Sequence, residues 1–132
     1  MFKGFKLKIN MNKKSILIVE DDEFNQSILV DYFSDKYDVI TAYNGHECLS
    51  SVLEHEPDLI LLDIMMPKMN GYEVIDIFKH NPKLAKIPII VVSALASEAE
   101  KQIVYDMGVT DYITKPFDEH EILSHIKKYL LY

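Results

Sequence analysis

Four places in this sequence put ionisable or hydroxyl side chains at the end of an apolar run. The runs and the residues that end them are SILIVE with Glu20, Asp21 and Asp22, LILL with Asp63, IPIIVV with Ser93, and VTDYIT with Lys115 and Pro116. Carboxylate oxygens suit a hard cation, and Mg²⁺ in proteins is held by one or two carboxylates, water and a phosphoryl group. Clustered carboxylates repel one another unless a cation lies among them. If the ends of the four runs lie close together in the fold, the residues at these ends predict a magnesium-dependent site.

The apolar runs are typical of strands in a parallel sheet. They are short, rich in Ile and Val and apolar on both faces, which indicates a sheet covered by helices on both sides. The predicted strands are Ser15–Glu20, Tyr37–Ala42, Leu59–Leu62, Ile87–Val92 and Val109–Thr114. Apolar residues at helical spacing predict helices over Phe24–Phe33, Glu47–His55, Gly71–His80, from Ser97 to near Gly108, and from Asp118 nearly to the C-terminus. The predicted fold class is α/β, a doubly wound five-stranded parallel sheet with five helices.

Simpler interpretations exist for each of these polar residues taken alone. Asp22 is placed to cap the first helix, and Ser97 with Glu100, like Asp118 with Glu121, has the spacing of a capping box. A strand-terminal aspartate is often a turn former, and a lysine before proline is often a solvated loop residue. The polar residues nevertheless coincide at every strand end except the second. Because ligand sites in open parallel sheets form at the carboxyl ends of the strands, this coincidence favours a site.

Composition limits the kinds of partner. The chain has 132 residues, which suits one domain, and its formal net charge is -7. Five of the fourteen lysines lie in residues 1–14, where there is no acid, so nine lysines face 21 acids in the remainder. Such a surface repels nucleic acid and anionic membrane, and no apolar run reaches the ~18 residues of a membrane span. We therefore expect a cytoplasmic protein with a basic extension at 1–14 and one domain at 15–132.

The same blocks resemble those of response-regulator receiver domains. The segments ILIVEDD, LILLDIMMPKMNG, IPIIVVSALAS and GVTDYITKPF look like the signature blocks of that family, and they keep its order from about Ser15 to the C-terminus. The resemblance implies a flavodoxin-like sheet with strand order 2-1-3-4-5. It also implies a phosphoacceptor in a two-component system or phosphorelay, where a phosphohistidine of a partner protein supplies the phosphoryl group.

The resemblance assigns the acceptor and the metal ligands. Asp63 matches the phosphoacceptor. Asp21 matches a direct ligand of Mg²⁺, and Glu20 a ligand that acts through water. Met65 would lend its backbone carbonyl to the metal. The implied cofactor is therefore Mg²⁺.

The resemblance also assigns the residues that respond to phosphorylation. Ser93 matches the switch hydroxyl that bonds a phosphoryl oxygen. Lys115 matches the lysine that pairs with Asp63 and then with the phosphoryl group, and the Lys115-Pro116 bond is implied to be cis. Tyr112 matches the aromatic switch position, whose ring turns inward when the domain is phosphorylated.

The implied partners are proteins. A histidine kinase or a histidine phosphotransfer protein would exchange the phosphoryl group. A downstream protein would dock on the face of helix four, strand five and helix five, with Ala99–Asp106 and His120–Lys128 as its candidate surface. A homodimer through the same face is compatible with the resemblance. The sequence leaves open whether this is a single-domain regulator or the receiver of a longer protein such as a hybrid kinase.

The sequence departs from the patterns expected of two other classes of protein, the aspartyl-phosphate hydrolases and the flavodoxins. An aspartyl-phosphate hydrolase would carry a second carboxylate two residues after the nucleophile, where Met65 stands, and a flavodoxin would need a Gly/Ser/Thr-rich loop in place of EDDEFN. A degenerate receiver that acts as a phosphorylation-independent interaction module stays open. The domain is expected to catalyse only its own phosphorylation and a slow hydrolysis, because neither Met65 nor Leu95 can hydrogen-bond an attacking water.

Overall fold

The computed structural model describes residues 13–66, 70–95 and 97–130, and within them strands and helices alternate. The strands are β1 (Ser15–Val19), β2 (Asp38–Ala42), β3 (Leu59–Asp63), β4 (Ile89–Ser93) and β5 (Asp111–Thr114). The helices are α1 (Glu23–Phe33), α2 (Gly45–His55), α3 (Gly71–Lys79), α4 (Glu98–Asp106) and α5 (Glu119–Tyr129), with a 3₁₀ turn at Leu84–Lys86. The predicted α/β class is confirmed.

The strands form one parallel sheet in the order β2-β1-β3-β4-β5, which confirms the order implied by the resemblance. Register brings the carboxyl ends of the central strands level with one another. Val19 lies opposite Leu62, and Ser93 lies opposite Thr114. The polar residues that end these strands therefore share one edge of the sheet.

Two apolar layers hold the sheet between the helices. One layer joins alternate strand residues such as Leu17 to α2, α3 and α4, and the other joins residues such as Ile16 to α1 and α5. Every residue of β3 is buried. Burying one large aliphatic side chain contributes about 1.5–3 kcal/mol, so β3 is a well-anchored support for the residue that ends it.

Local capping chemistry starts the helices where the sequence predicts. The side chains of the three predicted N-caps, Asp22, Ser97 and Asp118, accept the backbone N–H of Asn25, Glu100 and Glu121 at 2.8, 3.1 and 2.7 Å. Each bond satisfies one of the donors that a helix start leaves free.

Some boundaries differ from the prediction. Ser93 is the last residue of β4 rather than the residue after it, and β4 begins at Ile89 rather than Ile87. β5 begins at Asp111 rather than Val109. Hydrogen bonding to neighbouring strands sets these ends, and an apolar pattern does not record it.

The predicted extension at 1–14 lies mostly outside the described residues, the first of which is residue 13. The division of the chain at residue 14 therefore stays a prediction. Within the described ranges, no helix combines the length and the apolar character needed to cross a bilayer.

Candidate functional site

The site lies at the carboxyl edge of the sheet, where Asp63 ends β3 and Ser93 ends β4. Asp63 is 7% exposed, Ser93 1%, and Glu20, the residue after β1, 3%. Three polar groups buried at one edge need partners, because an unpaired buried polar group costs free energy. Asp21 follows Glu20 but is exposed.

Lys115 supplies the charge partner of the buried carboxylates. Its Nζ donates to Glu20 Oε1 at 3.2 Å and to Asp63 Oδ2 at 3.3 Å. Burial alone would lower the pKa of Lys115, but the charges of Asp63 and Glu20 outweigh it and hold that pKa above its ordinary value. The ammonium is therefore held charged between the two carboxylates.

The backbone after β5 orients the Lys115 side chain. The Lys115 N–H donates to the Ser93 carbonyl at 2.9 Å, which extends the β4–β5 ladder by one bond. The Lys115-Pro116 peptide bond is cis, as the resemblance implies. A cis X-Pro bond typically lies in a tight turn, and here the turn follows the residue whose side chain enters the site.

The acidic residues form a cluster whose chemistry suits a divalent cation. Glu20, Asp21 and Asp63 each place one carboxylate oxygen within 4.8 Å of the others. Burial raises the pKa of Asp21, and the hydrogen bond and charge of Glu20 raise it further. Three carboxylates and one ammonium leave a formal charge of -2, which a divalent cation would neutralise. Hard oxygen ligands of this kind fit Mg²⁺.

The loop after Asp63 is anchored on both sides. The Met65 N–H donates to Asp63 Oδ1 at 3.0 Å, and the Gly71 N–H donates to the Ile64 carbonyl at 2.8 Å. A Cβ on Gly71 would lie 2.6 Å from the Ile64 Cα, so only glycine fits there. These contacts pack the start of α3 against the backbone that directly follows Asp63. The ligand role of the Met65 carbonyl stays a prediction.

Ser93 and Tyr112, which the resemblance assigns as switch residues, are joined through Leu95 in the segment that follows β4. Ser93 Oγ accepts the Leu95 N–H at 3.1 Å, and the Tyr112 hydroxyl donates to the Leu95 carbonyl. Tyr112 is 7% exposed, and Lys101 Nζ lies 5.9 Å from the centroid of its ring. Leu95 therefore connects the Ser93 side chain to the Tyr112 hydroxyl.

A cavity of about 400 Å³ opens beside the acidic cluster. Glu20, Lys115 and the small side chain of Ala94 are among the residues that line it. The lining also includes apolar residues, among them Ile28 of α1 and Phe117 after the cis bond. The cavity therefore reaches the acidic cluster at Glu20.

Sequence reasoning missed one polar cluster on the α4–β5–α5 face. The Asp111 carboxylate accepts from His125 Nδ1 at 2.9 Å, from the Tyr129 hydroxyl at 3.0 Å and from the Tyr105 hydroxyl at 3.4 Å. Burial alone would raise the pKa of Asp111, but the hydrogen bonds, led by that of His125, outweigh it and lower it. The cluster ties α4 and α5 to the start of β5.

A second missed residue is the buried Gln26 of α1, whose amide contacts the ends of β1 and β2. A single glutamine at a core position of a predicted helix is the only sequence signal for it.

Comparisons with known proteins agree with this geometry. The response regulator receiver domain family matches residues 16–127. The polar-differentiation response regulator DivK of Brucella anthropi is 38% identical over 118 residues, which cover 89% of this chain and 96% of the relative.

Solved structures agree as well. A chemotaxis response regulator of Vibrio cholerae superposes with a TM-score of 0.85 at 26% identity, covering 90% of this chain and all of that one. The receiver domain of a sensor histidine kinase from Pseudomonas aeruginosa, described with a magnesium ion coordinated in its active-site cleft, gives 0.81 at 25% identity, covering 89% of this chain and 97% of its own.

Proposed function

This chain belongs to the response regulator receiver domain family of two-component signalling, and from that premise we propose that Asp63 accepts a phosphoryl group in a magnesium-dependent reaction. The family consists of signalling phosphoacceptors rather than classical enzymes. The observation that carries the proposal is the buried carboxylate of Asp63, held 3.3 Å from the Lys115 ammonium beside two further carboxylates.

In the proposed reaction, an Asp63 carboxylate oxygen attacks the phosphorus of a partner's phosphohistidine. The new bond joins that oxygen to phosphorus, the bond from phosphorus to the imidazole nitrogen breaks, and its electron pair stays on the imidazole. The transition state spreads negative charge over the phosphoryl oxygens, so catalysis is mainly positioning and charge neutralisation.

Each residue of the site has a proposed part in this step. Lys115 moves from pairing with the free carboxylate to pairing with a phosphoryl oxygen, and Ser93 Oγ donates a hydrogen bond to another. Glu20, Asp21 and Asp63, with the Met65 carbonyl, would hold Mg²⁺. When bound, the ion supplies positive charge to the transferring group.

The signal is proposed to leave through the β4–α4 loop. When Ser93 turns to the phosphoryl group, its hydroxyl gives up the Leu95 N–H, and the Leu95 carbonyl that holds Tyr112 shifts with it. We treat the result as a shift between two populated states of the α4–β5–α5 face, with a coupling of about 1–3 kcal/mol. A downstream protein would bind the favoured state, and a histidine kinase or phosphotransfer protein would supply the phosphoryl group.

The proposal is tested by intact mass after incubation with a small phosphodonor, with Mg²⁺ or with a chelator. The native chain should gain one phosphoryl group only with Mg²⁺, and Asp63→Asn should gain none. Asp22→Asn is a matched control, because asparagine can still cap α1 by accepting the Asn25 N–H; it should be modified like the native chain.

The alternatives give different results in the same experiment. A native chain that is folded and binds Mg²⁺ but gains no mass would favour the interaction module that works without phosphorylation. A gain that persists in Asp63→Asn would show that another residue is the acceptor.

A further inference from the structure

Gln26 is a buried amide that no step of the proposed transfer uses. It lies in α1, is 1% exposed, and directs Nε2 at three backbone carbonyl oxygens. These belong to Ala42 at 3.0 Å, Ile18 at 3.2 Å and Glu20 at 3.4 Å. One side chain thus joins α1 to the carboxyl ends of β1 and β2, at the sheet edge that carries the acidic cluster.

The direction of this amide is dictated by its neighbours. An amide nitrogen has two hydrogens to donate, and backbone carbonyls can only accept. Turning the amide over would set Oε1 against three carbonyl oxygens. The observed direction leaves Oε1 buried, and no donor among the described residues reaches it. A buried acceptor without a partner costs free energy, so holding the carbonyls outweighs satisfying the side chain's own oxygen.

The peptide units that Gln26 holds lead directly into the metal ligands. Glu20 lies one residue beyond the last residue of β1, where the β1–β2 ladder contributes one more bond. Its N–H donates to the Ala42 carbonyl at 3.1 Å, and its own carbonyl receives the longest of the Gln26 contacts. The directions of the Glu20 and Asp21 side chains depend on these backbone bonds.

We propose that Gln26 is a positioning residue for the divalent cation site. By holding the carbonyls of Ile18, Glu20 and Ala42, it sets the Glu20 and Asp21 carboxylates at the separation from Asp63 at which Mg²⁺ binds. This rests on the proposed function, because it takes the acidic cluster to be a magnesium site. Gln26 itself touches neither the metal nor the reacting atoms.

The test is a titration of the full-length, ¹⁵N-labelled protein with MgCl₂, with the Kd taken from amide chemical shifts. Gln26→Met keeps the length of the side chain but removes both donors, and Gln26→Asn keeps an amide but shortens its reach. The control is Val52→Ala, a buried position of α2 beside Pro57, which precedes β3 at the opposite edge of the sheet. It lowers stability without touching the acidic edge.

Both Gln26 variants should bind Mg²⁺ about tenfold more weakly than the native chain, as is typical when a residue that orients a metal ligand is lost. Val52→Ala should keep the native Kd to within about twofold although its Tm falls, because the two sites are distant. A folded Gln26→Met that binds like the native chain would overturn the proposal, and so would an equal weakening in Val52→Ala. If Gln26→Met does not fold, Gln26→Asn decides by the same criterion.

The titration also separates this inference from the proposed function. A native chain without Mg²⁺-dependent shifts near Glu20, Asp21 and Asp63 would overturn both the magnesium site and the role of Gln26. A native chain that binds, together with Gln26 variants that bind equally well, would overturn the role of Gln26 alone.

Discussion

Replacing Lys115 with methionine tests the charge balance of the site. The Lys115 ammonium lies 3.2 Å from Glu20 and 3.3 Å from Asp63, whose side chains are 4% and 8% exposed. Each contact amounts to about 5 kcal/mol of Coulomb attraction at an effective dielectric constant of about 20, before desolvation is subtracted. Removing one member of a buried pair costs about 3–5 kcal/mol. Because the Lys115 side chain is 28% exposed, we expect the lower value of that range, about 3 kcal/mol.

Urea unfolding in the presence of a chelator measures this loss. With a slope of about 2 kcal/mol/M, the midpoint of Lys115→Met should fall by about 1.5 M relative to the native chain. Methionine keeps most of the apolar stem, so the change reports mainly on charge. Lys86→Met is the matched control, because Lys86 is exposed and lies just before β4, at the opposite edge of the sheet. Its unfolding free energy should stay within about 0.5 kcal/mol of the native value.

The stability that Lys115 contributes should depend on pH in a definite direction. The pKa of Lys115 is raised in the folded chain, so its stabilisation is fully present below the ordinary lysine pKa of about 10.4 and is lost as pH rises through the folded value. The difference between Lys115→Met and the native chain should therefore be constant from about pH 7 to 9. Saturating Mg²⁺ should reduce it, since the cation takes over part of the neutralisation. Equal midpoints without Mg²⁺, or an equal fall in Lys86→Met, would refute the reasoning.

Three further predictions concern other parts of the molecule. Asp111→Asn should lower the free energy of unfolding by about 1–2 kcal/mol at pH 5.5, because charge-assisted hydrogen bonds are lost. The pKa of Asp111 is lowered on folding, so the difference in unfolding free energy between the native chain and this variant should shrink as pH falls below about 4, as measured by chemical denaturation. Burial raises the pKa of Cys48 to about 12, so a thiol reagent should label it only in denaturant, and rapid labelling of the native chain would contradict the buried position. Met65→Asn combined with Leu95→Gln should speed loss of the phosphoryl group, measured by intact mass over time, because these side chains can orient a water; an unchanged rate would show that water access is set elsewhere.

Much of the fold could be predicted because the decisive interactions are local. The run LILL is apolar on both faces and predicts a buried strand directly before Asp63, whatever its neighbours are; in the structure the strand includes Asp63 as its last residue. The caps at Asp22, Ser97 and Asp118 involve residues three positions apart, so sequence spacing is enough to find them. The end of β4 at Ser93 was missed by one residue, because ladder bonds to β3 and β5 set it.

The sequence by itself determined which side chains end the strands, and the shared edge followed from the parallel sheet that it predicted. The family resemblance implied that Lys115 pairs with Asp63, but composition and periodicity could not show this pair, and the second contact, to Glu20, emerged only from the tertiary structure. Lys115 reaches Glu20 and Asp63 across 95 and 52 positions of the chain, distances over which no periodicity carries information. The tertiary structure also determines that Glu20 is buried while its neighbour Asp21 is exposed. It directs the Gln26 amide to the strand ends, and it places Asp111 where side chains of α4 and α5 donate hydrogen bonds to it. The physical reason is the same in each case. Burial and hydrogen bonding at a sheet edge depend on which helices and loops pack around that edge, and this packing exists only in the folded tertiary structure.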